Sequence, residues 1–307
     1  YLCQKYLFMK RIHCWIYLLL AIVGLSACQG KKEGGTRTIS VTIEPQRYFA
    51  EKIAGDLFHI NCVTPAGQSP ETYDPTPQQM VQISQSQAYF RIGEIGFEQA
   101  WMKNLQSQNP DMAVFDLSEG MELIKSEEEA HEEGEAHHHH HHGSVDPHIW
   151  TSISGARVIA QNTCQAFIKL DPENQEIYRA GYQRLIEEID STEAEMKQLL
   201  QPLAGTAFII YHPALTYFAR EFGLKQLCIE LDGKEPSPAQ LKQLLETATQ
   251  SGAKVVFVQQ EFDQKNAELI AKETGCRLVT INPLSYNWHD EMIRLATILA
   301  GKDGQAD

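Results

Sequence analysis

The stretch PENQEIYRAGYQRLIEEIDSTEAEMKQLLQPL, residues 172–203, decides how the chain is put together. It holds no proline between Pro172 and Pro202 and a single glycine, Gly181, while Tyr178, Tyr182, Leu185, Ile189, Met196 and Leu199 recur at near-helical spacing. That pattern predicts one long helix with an apolar stripe on one side. A rod of this kind restricts hinge motion, unlike a pair of flexible linkers.

Working outward from the rod, both flanks change rhythm to short β-branched runs alternating with helix-period segments. On the N-terminal side, residues 39–43, 58–63, 88–92 and 112–117 read as strands, with helices near 46–54, 77–86 and 96–107. On the C-terminal side, strands are expected at 207–211, 226–230, 254–259 and 277–281, with helices near 213–222, 238–250, 264–274 and 288–300. Thr76-Pro77 and Ser237-Pro238 each supply an N-cap hydroxyl followed by proline at the first helical position. The expected fold class is therefore α/β: two lobes, each with a mainly parallel four-stranded sheet flanked by helices, joined by one long helix. The lobes span 38–171 and 204–303, with the helix over 172–203.

With 26 Lys and Arg against 40 Asp and Glu, the formal charge of −14 opposes nucleic-acid binding, which needs clustered cations. Part of that charge is local, since Glu127, Glu128, Glu129, Glu132, Glu133 and Glu135 precede a histidine run. Ahead of the lobes, the basic Met9-Lys10-Arg11 and the apolar WIYLLLAIVGL of residues 15–25 read as an export signal, too short to span a bilayer permanently. Residues 1–8 precede a plausible initiator and are set aside. Leu25-Ser26-Ala27-Cys28 resembles a bacterial lipobox, which makes Cys28 the expected lipid attachment site and residues 29–37 a tether. Ordinary signal cleavage with an incidental cysteine is the plainer alternative. Of the later cysteines, Cys62, Cys164, Cys228 and Cys276, no two have CxxC spacing, so a thiolate zinc site is not expected. Cys228 with Cys276 is the pair to test for a disulfide, against the alternative that all four are small buried residues.

Ligands of open α/β sheets bind outside the carboxyl ends of the strands. That edge offers Glu71 after strand 58–63, His148 after strand 112–117, His212 after strand 207–211 and Asn282 after strand 277–281. Two from each lobe would converge across an interlobe cleft. Imidazole with carboxylate suits zinc, and an oxygen-rich set also takes manganese. Taken singly, a histidine at a strand end is more often a hydrogen-bonded structural residue than a ligand; the shared edge and the nearby histidine run favour the ligand reading here. His59 and His289 are read as strand exposure and helix surface.

The motifs GQSPETYDPTP (67–77), GEIGFE (93–98), DPHIW (146–150), YHPA (211–214) and NPL (282–284) resemble those of the metal-binding solute-binding proteins of bacterial ATP-binding-cassette (ABC) importers for zinc or manganese. The resemblance covers roughly residues 38–303. It implies a lipoprotein that captures zinc, with manganese possible, and passes it to a permease and its ATPase. It implies no catalysis, a monomer and a periplasm-facing, membrane-anchored location. Two positions depart from the pattern: Glu71 stands where the family usually has its first histidine ligand, and Asn282 where it usually has an aspartate. The implied metal set is Glu71, His148, His212 and Asn282 or a water. A two-histidine, one-carboxylate set with an open position is also how hydrolytic zinc sites are built, so a zinc-dependent hydrolase is the alternative. A metal sink with no transporter is a third.

Within the segment 126–145, His131 and His137, His138, His139, His140, His141 and His142 lie among glutamates. Most such imidazoles are neutral and ligand-competent at neutral pH. The run is expected to collect zinc weakly ahead of the tight site, the alternative being a solvated acidic loop.

Overall fold

Residue spacing in the two flanking series resolves, in a computed structural model, into two parallel sheets of the same topology. The structure describes residues 37–125, 145–230, 236–262 and 264–303. The export signal, Cys28, the tether up to residue 36 and the histidine run lie outside the described residues. From Thr38 onward the chain forms one compact unit.

The first sheet contains β1 (Thr38–Val41), β2 (His59–Cys62), β3 (Ala88–Arg91) and β4 (Ala113–Asp116) in the order β2-β1-β3-β4, all parallel. The second contains β5 (Ala207–Ile210), β6 (Lys225–Cys228), β7 (Val255–Gln259) and β8 (Arg277–Ile281) in the order β6-β5-β7-β8, again all parallel. In each sheet the chain winds to one side and then reverses, between β1 and β3 and between β5 and β7. Such a switch point opens a crevice at the carboxyl ends of the strands.

The connecting helices are α1 (Glu44–Ala54), α2 (Pro77–Ser84), α3 (Gly96–Gln108), α4 (Ile153–Leu170), α5 (Gln175–Leu200), α6 (Thr216–Phe222), α7 (Pro238–Gln250), α8 (Lys265–Thr274) and α9 (Trp288–Leu299). Thr76 and Ser237 cap α2 and α7 as their sequences imply, each hydroxyl accepting the backbone N–H three residues on. Helix α4 has no counterpart among the elements expected from the sequence. Its cap is Ser152, whose hydroxyl accepts the Gly155 N–H, and it runs almost to the rod.

Helix α5 is the rod, shortened to 175–200 because residues 172–174 and 201–203 form single 3-10 turns around Pro172 and Pro202. Its buried face is Tyr178, Gly181, Leu185, Ile189, Thr192, Met196 and Leu200. Gly181 is required there: a Cβ would stand 2.4 Å from the Ile53 carbonyl oxygen of α1. Helices α1 and α4, and also α9, which follows the last strand of the second sheet, all pack on α5. One apolar cluster accordingly runs from Phe49 and Phe90 through Ile189 to Phe208, Phe257 and Trp288, and a smaller one gathers Ile209, Val256, Val258 and Ile270 in the second sheet.

The sheet order decides the Cys228–Cys276 question in favour of free cysteines. Cys228 ends β6 and Cys276 precedes β8, the two outer strands, so two strands lie between them. Three strand spacings come to about 14 Å, far beyond the Cα separation a disulfide allows. Cys62, Cys164, Cys228 and Cys276 are all free thiols, and burial pushes the Cys228 thiol up to about 12, which makes it inert.

Candidate metal site

Each half of the site is built where a strand ends. After β4 and the segment beyond it, the chain returns through Val145 pairing with Lys125, and Asp146 donates its N–H to the Ile124 carbonyl at 2.9 Å. Tyr217 of α6 clamps this neck: its hydroxyl accepts the Ile124 N–H at 2.9 Å and donates to the Asp146 carbonyl at 2.7 Å. Asp146 then turns back on His148, Oδ1 accepting the His148 backbone N–H at 2.9 Å and meeting its ring Nδ1 at 2.8 Å. That contact fixes the tautomer, leaving Nε2 as the atom with a free lone pair. Thr151 ties the same turn to the other half, its hydroxyl lying 2.8 Å from the His148 carbonyl and 3.1 Å from that of Ala214.

His212 follows β5 directly. The Gln259 side chain brackets its backbone, donating to the His212 carbonyl at 2.7 Å and accepting its N–H at 3.3 Å. The ring is stacked by Phe262, with centroids 5.1 Å apart and planes at 18°, and Nδ1 lies 3.3 Å from both carboxylate oxygens of Glu230. Nε2 is buried and has no partner. The two imidazoles meet with centroids 5.1 Å apart. Two imidazoles on one tetrahedral ion, with bonds of about 2.0 to 2.1 Å, place their ring centres about 5 Å apart.

Glu71 comes from the loop after β2. Its Oε2 accepts the Gly96 N–H at 2.9 Å, at the start of α3, where the helix dipole favours a negative charge. Oε1 is buried without a partner. Gly96 is required for the approach, because a Cβ would lie 2.3 Å from the Glu71 carbonyl oxygen. The loop behind it is braced by Glu98, which accepts the Ile92 and Gly93 N–H groups at 3.1 and 2.5 Å. Burial raises Glu98 to about 7 despite those donors.

Glu71, His148 and His212 line one cavity together with Ser69, Trp150 and Glu261. Its volume is about 10 Å³, close to the space one water or one ion fills. Eight buried side-chain atoms make no hydrogen bond among the described residues, and three of them, Glu71 Oε1, His212 Nε2 and Glu261 Oε2, belong to this one cavity. Unpaired buried polar atoms cost about 1 to 3 kcal/mol each, so their convergence points to a charged guest. Among the described residues no three imidazole, thiol or carboxylate groups already stand in a closed coordination shell, so holding an ion would require the side chains to draw in. Burial acts to lower His148, but the Asp146 charge and hydrogen bond, with smaller contributions from Glu71 and Glu261, outweigh it and raise the imidazole above 6.5. Burial acts to raise Asp146, and His148 outweighs it, holding the carboxyl below 3.8.

Asn282 is placed elsewhere. It lines an adjoining cavity of about 280 Å³ with Arg47, Thr64 and Tyr286, and its Oδ1 accepts the Leu284 N–H at 3.2 Å. The structure does not bring Asn282 into the cavity that Glu71, His148 and His212 line. His289 is half-buried rather than on the surface, with Nδ1 2.7 Å from the Thr192 hydroxyl, and His59 is exposed. Glu261 is the cavity residue the sequence did not single out, although it follows β7 on the same strand edge as the others.

The sequence model of the zinc-uptake complex component A, the periplasmic protein ZnuA, matches residues 39–295. The chain belongs to the ZnuA family. The high-affinity zinc uptake system protein ZnuA of Bacillus subtilis (strain 168) is 29% identical over 274 residues, 87% of this chain and 85% of that protein. The manganese ABC transporter substrate-binding lipoprotein PsaA of Streptococcus anginosus is 26% identical over 283 residues, 87% of each. A crystal structure of ZnuA superposes with a TM-score of 0.78 at 35% identity, covering 87% of this chain and 98% of that one. A zinc-bound deletion mutant of ZnuA gives 0.78 at 34% identity, covering 89% and 100%. The α/β fold of two parallel four-stranded sheets and a long helix is thus that of the ZnuA family.

Proposed function

We propose that this ZnuA-family chain is the extracytoplasmic binding component of an ABC importer, holding one zinc ion through Glu71, His148 and His212 and handing it to a membrane permease driven by an ATPase. The observation that carries this reading is the convergence of two imidazoles, each oriented by a carboxylate behind it, on a cavity sized for a single ion. Carboxylate–histidine pairs of this kind orient metal ligands and raise their basicity. A cavity of about 10 Å³ fits a single ion. On this reading Cys28 bears the lipid that keeps a monomeric chain at the membrane, and the run His131 and His137–His142 gathers zinc ahead of the cleft.

Manganese is the second reading, favoured by the oxygen donor Glu71 and by the manganese transporters among the relatives. Titration calorimetry with zinc and with manganese, on the wild type and on His148→Ala, tests both. Tight 1:1 binding lost in His148→Ala supports the assignment, and the ion bound more tightly identifies the cargo. Undiminished binding in His148→Ala rejects the site.

A further inference from the structure

Three residues at the end of β7 surround His212. Gln259 brackets its backbone, Phe262 stacks on its ring, and Glu261, between them, faces the cavity. Strand β7 is the neighbour of β5 across the switch point of the second sheet, so its loop and the His212 segment open onto the same crevice. Glu261 Oε2 is buried and accepts no hydrogen bond. The carboxylates around the cavity are all engaged at least in part: Asp146 by His148, Glu230 by His212, one oxygen of Glu71 by Gly96 and Glu261 by its own backbone N–H, which leaves Glu71 Oε1 and Glu261 Oε2 over. Asn282, by contrast, lines the adjoining cavity, where its amide oxygen accepts the Leu284 N–H.

We propose that Glu261, rather than Asn282, is the fourth ligand of the ion, so that the site closes as two imidazoles and two carboxylates. The assignment rests on the metal-site reading above and completes it. Glu71 and Glu261 together balance the charge of a divalent cation, and each enters from one lobe, as each imidazole does. Phe262 gives the Glu261 arm its aim: the aromatic contact that holds the His212 plane also fixes the loop from which the carboxylate projects.

The test uses the full chain as wild type and as Glu261→Gln, Asn282→Ala and His148→Ala. Zinc affinity is measured by competition with a chelating dye. One equivalent of cobalt(II), whose visible bands respond to the number and type of its ligands, is then bound to each protein. Ligation predicts that Glu261→Gln weakens zinc by about 100-fold, the upper end of the loss seen when groups behind a ligand are removed, and shifts the cobalt bands. Asn282→Ala is expected to stay within about twofold of the wild type on both readouts, as for a substitution away from the ion. Unchanged affinity in Glu261→Gln overturns the assignment, and so does weakened affinity with unchanged cobalt bands, which is the result of charge acting at a distance. If His148→Ala also binds like the wild type, the metal-site reading itself has failed, not the role of Glu261 within it. Thermal unfolding of each metal-free variant is followed in parallel. Should Glu261→Gln not fold, Glu261→Asp, which keeps the charge on a shorter arm, carries the same prediction of altered cobalt bands and the same refutation if they are unaltered.

Discussion

The two imidazoles occupy unlike settings. His148 is buried, with its backing carboxylate at 2.8 Å and its turn tied by Tyr217 and Thr151 to the opposite half. His212 is half-buried, with its carboxylate at 3.3 Å and a stacked phenyl ring for support. One half is thus built to a fixed geometry before any ion arrives. The other is backed by a longer carboxylate contact, Glu230 at 3.3 Å. A site that binds and must also release benefits from one rigid and one yielding side, because closure then needs the movement of few groups.

Removing either imidazole gives the largest expected effect. His148→Ala and His212→Ala should each weaken zinc by more than about 100-fold, beyond what loss of a backing group costs. His289→Ala, whose ring meets Thr192 away from the cavity, should change it by about twofold at most. Calorimetry checks all three, and equal losses would abolish the distinction between site and scaffold.

The backing carboxylates sharpen the contrast. Asp146→Asn should cost close to 100-fold and Glu230→Gln nearer to tenfold, the two ends of the range for groups that orient metal ligands. Equal losses would show that His212 is held as firmly as His148.

Gly96→Ala probes the Glu71 side. Its added methyl cannot fit 2.3 Å from a carbonyl oxygen, so the loop must shift. Overpacking of this kind costs about 1 to 3 kcal/mol of stability, and the displaced Glu71 should lower zinc affinity about tenfold. Chemical denaturation with a zinc titration separates the two.

The pH response follows from the raised His148. A metal needs the neutral ring, so zinc affinity should fall as pH drops through a value above 6.5. In the metal-free protein the sign reverses: the stability His148 contributes is fully present below 6.5 and is lost as pH rises through the raised value. Asp146→Asn removes the charge responsible, so the midpoint for zinc should move down. A midpoint unmoved in Asp146→Asn would mean that His148 does not control the titration.

The smallest effect belongs to Tyr217→Phe, which leaves the Ile124 N–H and the Asp146 carbonyl without their shared partner. It should cost about 1 to 2 kcal/mol of stability and only a few-fold in affinity, because Asp146 keeps its own hold on His148.

Much of this was legible beforehand because both signals are local. Periodicity marked the eight strands and the rod, and the strand-end rule pointed to His212 directly after β5, Glu71 in the loop after β2 and His148 at the far end of the long segment after β4, three residues that the structure brings to one cavity. Helix α4 escaped because it follows DPHIW without a break in composition. Glu261 escaped for a different reason: which strand neighbours β5 is set by the sheet order, which sequence spacing does not reveal, and only that order puts the end of β7 beside His212. Asn282 sits on the same edge yet lines the adjoining cavity, which local backbone geometry decides and spacing does not show.

Anomalous diffraction from zinc-loaded crystals tests the central claim most directly. The account predicts a single strong peak at about 2.0 to 2.1 Å from both His148 Nε2 and His212 Nε2. A strong zinc peak bonded to neither nitrogen would contradict it.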